Sequence, residues 1–265
     1  MNLLAIFAHP DDESFSCGGT LARYADAGAS VHLICATRGE EGEIVHPDID
    51  PESDMATLRT AELEDACRAL GIAPPIFLDY HDSGFPITVG EKNPKAFMNA
   101  DLLAVERSLL EHIEALKPEV ILTFDPHGSY GHVDHIVIHR AAIGAFWSAG
   151  SVMQPAPRRL FFTARSSEQI RAMQAVQSST TLDHLEPELY GVSEDSFAAV
   201  IDIGDYVEHK LAALKAHRSQ FGAGERFDAM RERAPQRFLR ERFTLGGLRG
   251  AFPEAPVDDL FAGLG

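Results

Sequence analysis

Near the amino terminus, Ala8-His9-Pro10-Asp11-Asp12-Glu13 puts one imidazole and three carboxylates within six residues. A second cluster, Asp125-Pro126-His127-Gly128-Ser129-Tyr130-Gly131-His132-Val133-Asp134-His135, stands far along the chain. Four of the 12 histidines fall between 127 and 139, a density that a solvated loop does not require. A lone His-Pro-Asp is ordinary turn chemistry; two such clusters ask for another account. Two histidines and one carboxylate meeting at a point, with open positions, make a catalytic divalent-metal site, since zinc there keeps three protein ligands and a water. His9, Asp12 and His135 fit that set. Asp11 is then left over as a general base, because a metal lowers the pKa of its water to around 7 and a neighbouring carboxylate can take the proton. His132, if protonated, suits the hydrogen bond to an oxyanion or the proton for a leaving amine, with Asp134 holding its charge and Tyr130 donating to the same oxygen. The chemistry implied is metal-assisted hydrolysis of an amide or ester.

Each cluster follows an apolar run, Leu3-Leu4-Ala5-Ile6-Phe7 and Val120-Ile121-Leu122-Thr123-Phe124, which reads as a buried strand feeding a loop. The carboxyl ends of strands are the ligand edge of an open α/β sheet. Strands are expected at residues 2–8, 30–36, 76–79, 119–124 and 159–163, with helices at 18–27, 56–70, 100–116 and from 134 through Trp147. The fold expected is α/β, a Rossmann-like open, mostly parallel sheet with helices on both faces, whose order 3-2-1-4-5 makes the two cluster-bearing strands neighbours. One domain over 1–265 is expected: a regular core to about 165, then an elaboration over 166–265 with helical segments near 167–177 and 206–220 and a strand at 197–202. Residues beyond Gly222 receive no assignment. Arg59 and Glu62 fall on the polar side of a helix's first turns, so Arg59 reads as a substrate contact or as a solvated cation. The loop from Tyr80 to Pro94 reads as a substrate-contacting wall or a capped turn. His139 reads as a buried or capping histidine, and His217 and Arg218 as cations suited to a helix carboxyl end.

With 45% hydrophobic and 24% charged residues the 265-residue chain is an ordinary globular one. A formal charge of -17 argues against a nucleic-acid or anionic-membrane surface, which needs clustered Lys and Arg. The amino terminus lacks the basic start of a signal peptide, and no apolar run approaches the roughly 20 residues of a membrane helix, so a cytoplasmic protein is expected. Cys17, Cys35 and Cys67 have no C-x-x-C spacing, which removes a disulfide framework and a thiolate zinc site; Cys35 and Cys67 read as small core residues, and Cys17 lies beside the first cluster with no His–Cys pairing in its spacing to make it a nucleophile. No G-x-G-x-x-G follows the first strand, so a dinucleotide site loses its main support. Two other classes remain. Iron(II) oxygenases also use two histidines and a carboxylate, but usually as H-x-D on a jelly roll, whereas this chain has H-x-x-D on alternating β and α elements. A non-catalytic, metal-dependent carbohydrate-binding protein would not need the spare Asp11.

The pair Ala8-His9-Pro10-Asp11-Asp12-Glu13 and Tyr130-Gly131-His132-Val133-Asp134-His135 resembles the signature of the LmbE-like (PIG-L) N-acetylglucosaminyl deacetylases, a family that includes deacetylases and amidases of thiol pathways. The likeness extends to Thr37-x-Gly39-Glu40-x-Gly42, Arg59-x-x-Glu62 and the helix from Lys210 to Gln220. It implies metal ligands at His9, Asp12 and His135, the base at Asp11, an oxyanion-side histidine at His132 and a substrate-contacting arginine at Arg59. It further implies zinc, with iron(II) in some members, and removal of an acetyl group from an N-acetylglucosamine-type conjugate, or amide cleavage in a related thiol conjugate. The partner is then a small amino-sugar conjugate. The membrane anchor of eukaryotic members is not found in this chain, which points to a soluble, bacterial-type enzyme, and homo-oligomerisation is left open. His127 stands where another polar residue such as Asn is expected.

Overall fold

A computed structural model describes residues 1–85, 90–176, 185–233 and 235–264. In chain order the elements are β1 (Asn2–Phe7), α1 (Asp12–Asp26), β2 (Ser30–Thr37), α2 (Met55–Leu70), β3 (Ile76–Tyr80), α3 (Leu102–Leu116), β4 (Val120–Phe124) and the short α4 (Gly128–Gly131). Then come α5 (Val133–Val152), β5 (Arg159–Thr163), α6 (Ser167–Val176), the short α7 (Pro187–Tyr190), β6 (Ala199–Asp202), α8 (Val207–Ala216), the short α9 (Arg218–Phe221), α10 (Glu225–Arg233) and β7 (Arg240–Leu248). The strands form one sheet in the order β3-β2-β1-β4-β5-β7-β6. The first five run parallel in the order expected, and β7 is antiparallel to both β5 and β6. A parallel sheet is covered on both faces, so its strands are apolar without alternation; Leu3 through Ala8 are all inaccessible to solvent. Each fully buried Leu, Ile or Phe there contributes roughly 1.5–3 kcal/mol.

Helix α1 begins at Asp12 rather than near Gly18, with a kink at Cys17 (φ -153°, ψ 21°). Gly18 and Gly19 are therefore not the helix start. A Cβ on Gly19 would lie 2.4 Å from Ile203, so this glycine lets α1 pack closely on the carboxyl-terminal part of the chain. Past the kink, Glu241 of β7 accepts from the Gly19 and Thr20 amides (3.1 and 2.7 Å), and Lys210 of α8 bridges Glu241 (2.5 Å) and the Phe15 carbonyl (3.0 Å). A broken helix thus has its freed amides and a carbonyl satisfied from outside. Helix α2 ends on Gly71 (φ 72°) and starts on an Asp54 cap to the Thr57 amide (2.9 Å), much as its periodicity predicts.

The expected helix over 206–220 breaks at His217 into α8 and α9. Strand β7 is the strand without a sequence assignment. Its register shifts at Gly246, and Cβ atoms on Gly246 and Gly247 would lie 2.3 and 2.5 Å from the Phe162 and Phe146 rings. The expected strand at 197–202 and helix at 167–177 are present as β6 and α6, with residue 177 outside the described residues. The supposed elaboration therefore completes the main sheet. Among the described residues no helix is long and apolar enough to cross a membrane.

Candidate active site and metal centre

His9 follows β1, Asp11 caps α1, and Asp12 and Glu13 occupy that helix's first turn. Tyr130, His132, Asp134 and His135 follow β4 on α4 and the start of α5. Because β1 and β4 are adjacent, both clusters meet at the carboxyl edge of the sheet. His9 Nδ1 lies 3.1 Å from His135 Nε2; Asp12 Oδ1 lies 3.3 Å from His135 Nε2, and Asp12 Oδ2 lies 3.5 Å from His9 Nδ1. Tetrahedral zinc with bonds near 2.0–2.1 Å separates its ligand atoms by about 3.4 Å, the spacing of these contacts, in which Asp12 meets the two imidazoles through different oxygens.

The other edges of both rings are anchored. His9 Nε2 sits 3.2 Å from Asp134 Oδ2 and 3.3 Å from Asp82 Oδ1, while His135 Nδ1 meets the Gly128 carbonyl at 3.0 Å. These contacts make Nδ1 of His9 and Nε2 of His135 the nitrogens free to ligate, the usual outer partnership of metal-binding imidazoles. His135 also stacks on Phe124, centroids 3.9 Å apart. Two other buried triads converge: His9, His132 and His135, and His9, Asp82 and Asp134. In the second, Asp134 already accepts from the Ser83 amide (2.9 Å) and hydroxyl (2.5 Å), and Asp82 from the Gly84 amide (2.9 Å). Asp134 thus has both oxygens engaged, whereas Asp12 gives Oδ2 to the His9 amide (2.7 Å) and keeps Oδ1 toward His135, which favours the triangle through Asp12.

Burial would lower the His9 pKa, but Asp82, Asp12 and Asp134 outweigh it and hold it well above the usual value. Burial would raise Asp12, but His135 and His9 keep it at about 2. Burial pushes His135 down to about 4, against the pull of Asp12. The pocket thus retains positive charge on His9, which is the place a bound cation would take, with a proton released.

Asp11 adopts φ 108°, a left-handed conformation unfavourable for a non-glycine residue. Its amide donates to Glu13 Oε2 (3.0 Å) and its carboxylate pairs with Arg59 Nη2 at 3.1 Å. Burial raises its pKa to about 7 although Arg59 pulls the other way. Arg59 is 4% exposed and also donates to the carbonyls of Gly39 (3.1 Å) and Pro10. It clamps the loop that carries Asp11, so a solvated cation does not describe it. Glu62, expected on the polar side, is likewise buried and accepts from the Ser219 amide and hydroxyl (both 2.7 Å). A charged residue reads as surface by type, and only its partners reveal otherwise.

His132 caps α5, its Nδ1 accepting from the Asp134 amide at 3.2 Å. Nε2 must then carry the proton of the neutral ring. Burial, then His9 and His135, depress its pKa to about 3 against the pull of Asp134. This corrects the expectation of a charged His132 held by the Asp134 carboxylate, which instead turns to Ser83 and His9. Tyr130 stands edge-on to His135 (5.1 Å between centroids), and burial raises its pKa, so its phenol stays protonated. Phe85 stacks on His132 at 5.7 Å; of the loop from 80 to 94, residues 86–89 lie outside the described residues.

Sequence reasoning missed Asp82 and Ser83, which follow β3 at the same edge and could have been found by the rule that found His9. His217, expected at a helix end, is fully buried on Glu13 (2.9 Å). His139 is the buried histidine expected, its Nδ1 on the Phe124 carbonyl (2.7 Å). Cys17 is buried, and burial raises its thiol pKa well above normal. His127 is exposed and lies 5.3 Å from Tyr190, ring to ring.

Residues 4–146 match the PIG-L family, described as GlcNAc-PI de-N-acetylase. Over 99% of its length the chain is 36% identical to the 1D-myo-inositol 2-acetamido-2-deoxy-alpha-D-glucopyranoside deacetylase of Thermomonospora curvata, covering 96% of that protein. A deacetylase of the same name from Actinosynnema mirum is 37% identical, with 99% and 97% covered. Among solved structures, the conserved protein TT1542 of Thermus thermophilus superposes with TM-score 0.62 at 25% identity, 96% and 99% of the chains being covered. The N,N'-diacetylchitobiose deacetylase of Pyrococcus horikoshii shares the fold, with TM-score 0.60 at 23% identity over 92% of this chain and 83% of that one. Two strand-end clusters that converge as a His, Asp, His triangle, within a match of this extent, are those of a family member: the chain belongs to the PIG-L family.

Proposed function

We propose that this protein is a metal-dependent N-deacetylase acting on an N-acetylglucosamine group joined to a polyhydroxylated partner, with 1D-myo-inositol as the first candidate from its relatives. The observation that carries the reading is the triangle of His9, Asp12 and His135 with the ionisable Asp11, pKa about 7, left beside it. Two imidazole nitrogens and a carboxylate suit zinc, and iron(II) as well. A divalent cation there supplies Lewis acidity, polarising the amide carbonyl and acidifying water. Asp134 and Asp82 keep His9 in the tautomer that leaves Nδ1 free, and the Gly128 carbonyl does the same for Nε2 of His135.

Ionised Asp11 accepts a proton as water adds to the acetyl carbon. It returns that proton to the sugar nitrogen as the carbon–nitrogen bond breaks, so acetate and a free amine leave. Neutral His132 offers its Nε2–H, and Tyr130 its O–H, to the oxygen that becomes negative in the transition state. The buried free thiols of Cys17, Cys35 and Cys67 accord with a reducing, cytoplasmic setting. The test is incubation of the zinc-loaded protein with 1D-myo-inositol 2-acetamido-2-deoxy-alpha-D-glucopyranoside and with free N-acetylglucosamine, following primary amine. Stoichiometric amine and acetate, lost on chelation, are expected. No amine from either compound in protein of confirmed zinc content overturns the reading.

A further inference from the structure

Hydrogen-bonded to the Asp11 amide lies a buried pair that the reaction scheme does not use. Glu13 and His217 are both inaccessible to solvent although 204 residues apart, and His217 Nε2 meets Glu13 Oε1 at 2.9 Å. The other carboxylate oxygen, Oε2, accepts the Asp11 amide at 3.0 Å, while Ser14 Oγ donates to Oε1. His217 Nδ1 has no hydrogen-bond partner among the described residues, so the ring is committed to Glu13 alone. The break between α8 and α9 at His217 (φ -78°, ψ 58°) turns this ring inward. Two residues on, Ser219 is tied through its amide and hydroxyl to Glu62, three positions after Arg59 on α2.

Holding a non-glycine residue at φ 108° needs surroundings that over-determine it. Asp11 is fixed at its amide by Glu13 and at its carboxylate by Arg59. A buried carboxylate left without a partner would find other donors or a proton. His217 keeps Glu13 aimed at the Asp11 amide. We infer that Glu13 and His217 are positioning residues that hold Asp11 in its strained, base-competent pose, so that turnover depends on a histidine that never touches substrate. The inference rests on Asp11 being the base.

Substitution by Gln carries an amide nitrogen at the reach of imidazole Nε2, whereas Asn carries it at the reach of Nδ1. His217→Gln therefore keeps the bond to Glu13, and His217→Asn loses it. Glu13→Asp retains the charge but is one methylene too short to bridge His217 and the Asp11 amide. Each is made alone and together with Asp11→Asn, and kcat, KM and zinc stoichiometry are measured. Displacing a reacting group by about 1 Å costs on the order of a hundredfold in rate. His217→Asn and Glu13→Asp are expected to lower kcat to that extent at unchanged KM and zinc content, with His217→Gln retaining most activity. In the Asp11→Asn background neither is expected to cause a further loss. Additive losses on an impaired Asp11→Asn, or equal kcat in His217→Asn and His217→Gln, would overturn the positioning role alone. Full turnover by Asp11→Asn itself removes the base assignment, and this inference with it. If His217→Asn does not fold, Glu13→Asp carries the same comparison.

Discussion

Asp134 separates two accounts of this site. One has its carboxylate keeping a catalytic His132 charged; the other has it orienting His9. The carboxylate of this wholly buried residue lies 3.2 Å from His9 Nε2 and accepts from the Ser83 amide at 2.9 Å and hydroxyl at 2.5 Å. Only its backbone amide reaches His132. Asp134→Asn keeps the volume but supplies one acceptor oxygen for three donors, and turns an NH2 toward at least one of them. Loss of an outer hydrogen bond of this kind typically weakens metal binding by about 10- to 100-fold, or about 1.4–2.7 kcal/mol. The unpaired buried groups add about 1–3 kcal/mol of lost stability. Zinc affinity measured by competition against a chromophoric chelator should fall within that range, with kcat at saturating zinc reduced by less. An unchanged zinc affinity with a large drop in kcat would refute the orientation of His9 by Asp134 and restore the first account.

Asp11→Asn should keep its zinc and lose about 10²- to 10⁴-fold in kcat, the usual worth of general-base catalysis; near-native turnover would refute the role. Activity requires ionised Asp11, so log kcat/KM should rise with pH and level off at or below about 7, since a bound cation pulls that pKa down. His132 is already neutral above about pH 3, so no alkaline limb should belong to it; one that vanishes in His132→Gln would contradict the neutral ring. Arg59→Ala should lower kcat rather than raise KM, because the guanidinium meets Asp11 and the Pro10 and Gly39 carbonyls; a pure KM effect would return it to the substrate. Gly246→Ala should destabilise the fold by about 1–3 kcal/mol, read by thermal unfolding, because its Cβ would strike Phe162; an unchanged Tm would show that the ring can move.

The five parallel strands and their order were legible because fully buried strands are unbroken apolar runs, and because two of them end in chemistry-bearing residues. The convergence of His9, Asp12 and His135 followed from that order. Strand β7 was hidden by its own residues, since the charged Arg240, Glu241 and Arg242 and the paired Gly246 and Gly247 interrupt any apolar strand pattern and leave it unassigned. In the fold Glu241 is buried against α1 and the glycines admit aromatic rings. Buried charges were misread for the same reason. Arg59, Glu62 and His217 are polar by type and buried by partnership, and a partner two hundred residues away leaves no periodic trace. The protonation state of His132 could not be read from its neighbours in sequence, since it depends first on burial and then on His9 and His135, which the fold brings beside it.

The kink in α1 fixes when this site can be finished as the chain is made. Its amides at Gly19 and Thr20 wait for Glu241, and Glu13 waits for His217. Residues of α1 therefore acquire their partners only after about two hundred more residues have been made, against the usual tendency of earlier units to fold ahead of later ones. A nascent chain that has passed β5 holds both chemical clusters on adjacent strands, yet leaves their supporting helix uncapped until Glu241 has emerged. Completion of the site is thereby tied to synthesis of β7, and a product cut short before β7 would carry both His and Asp clusters without the Glu241 contacts that brace α1.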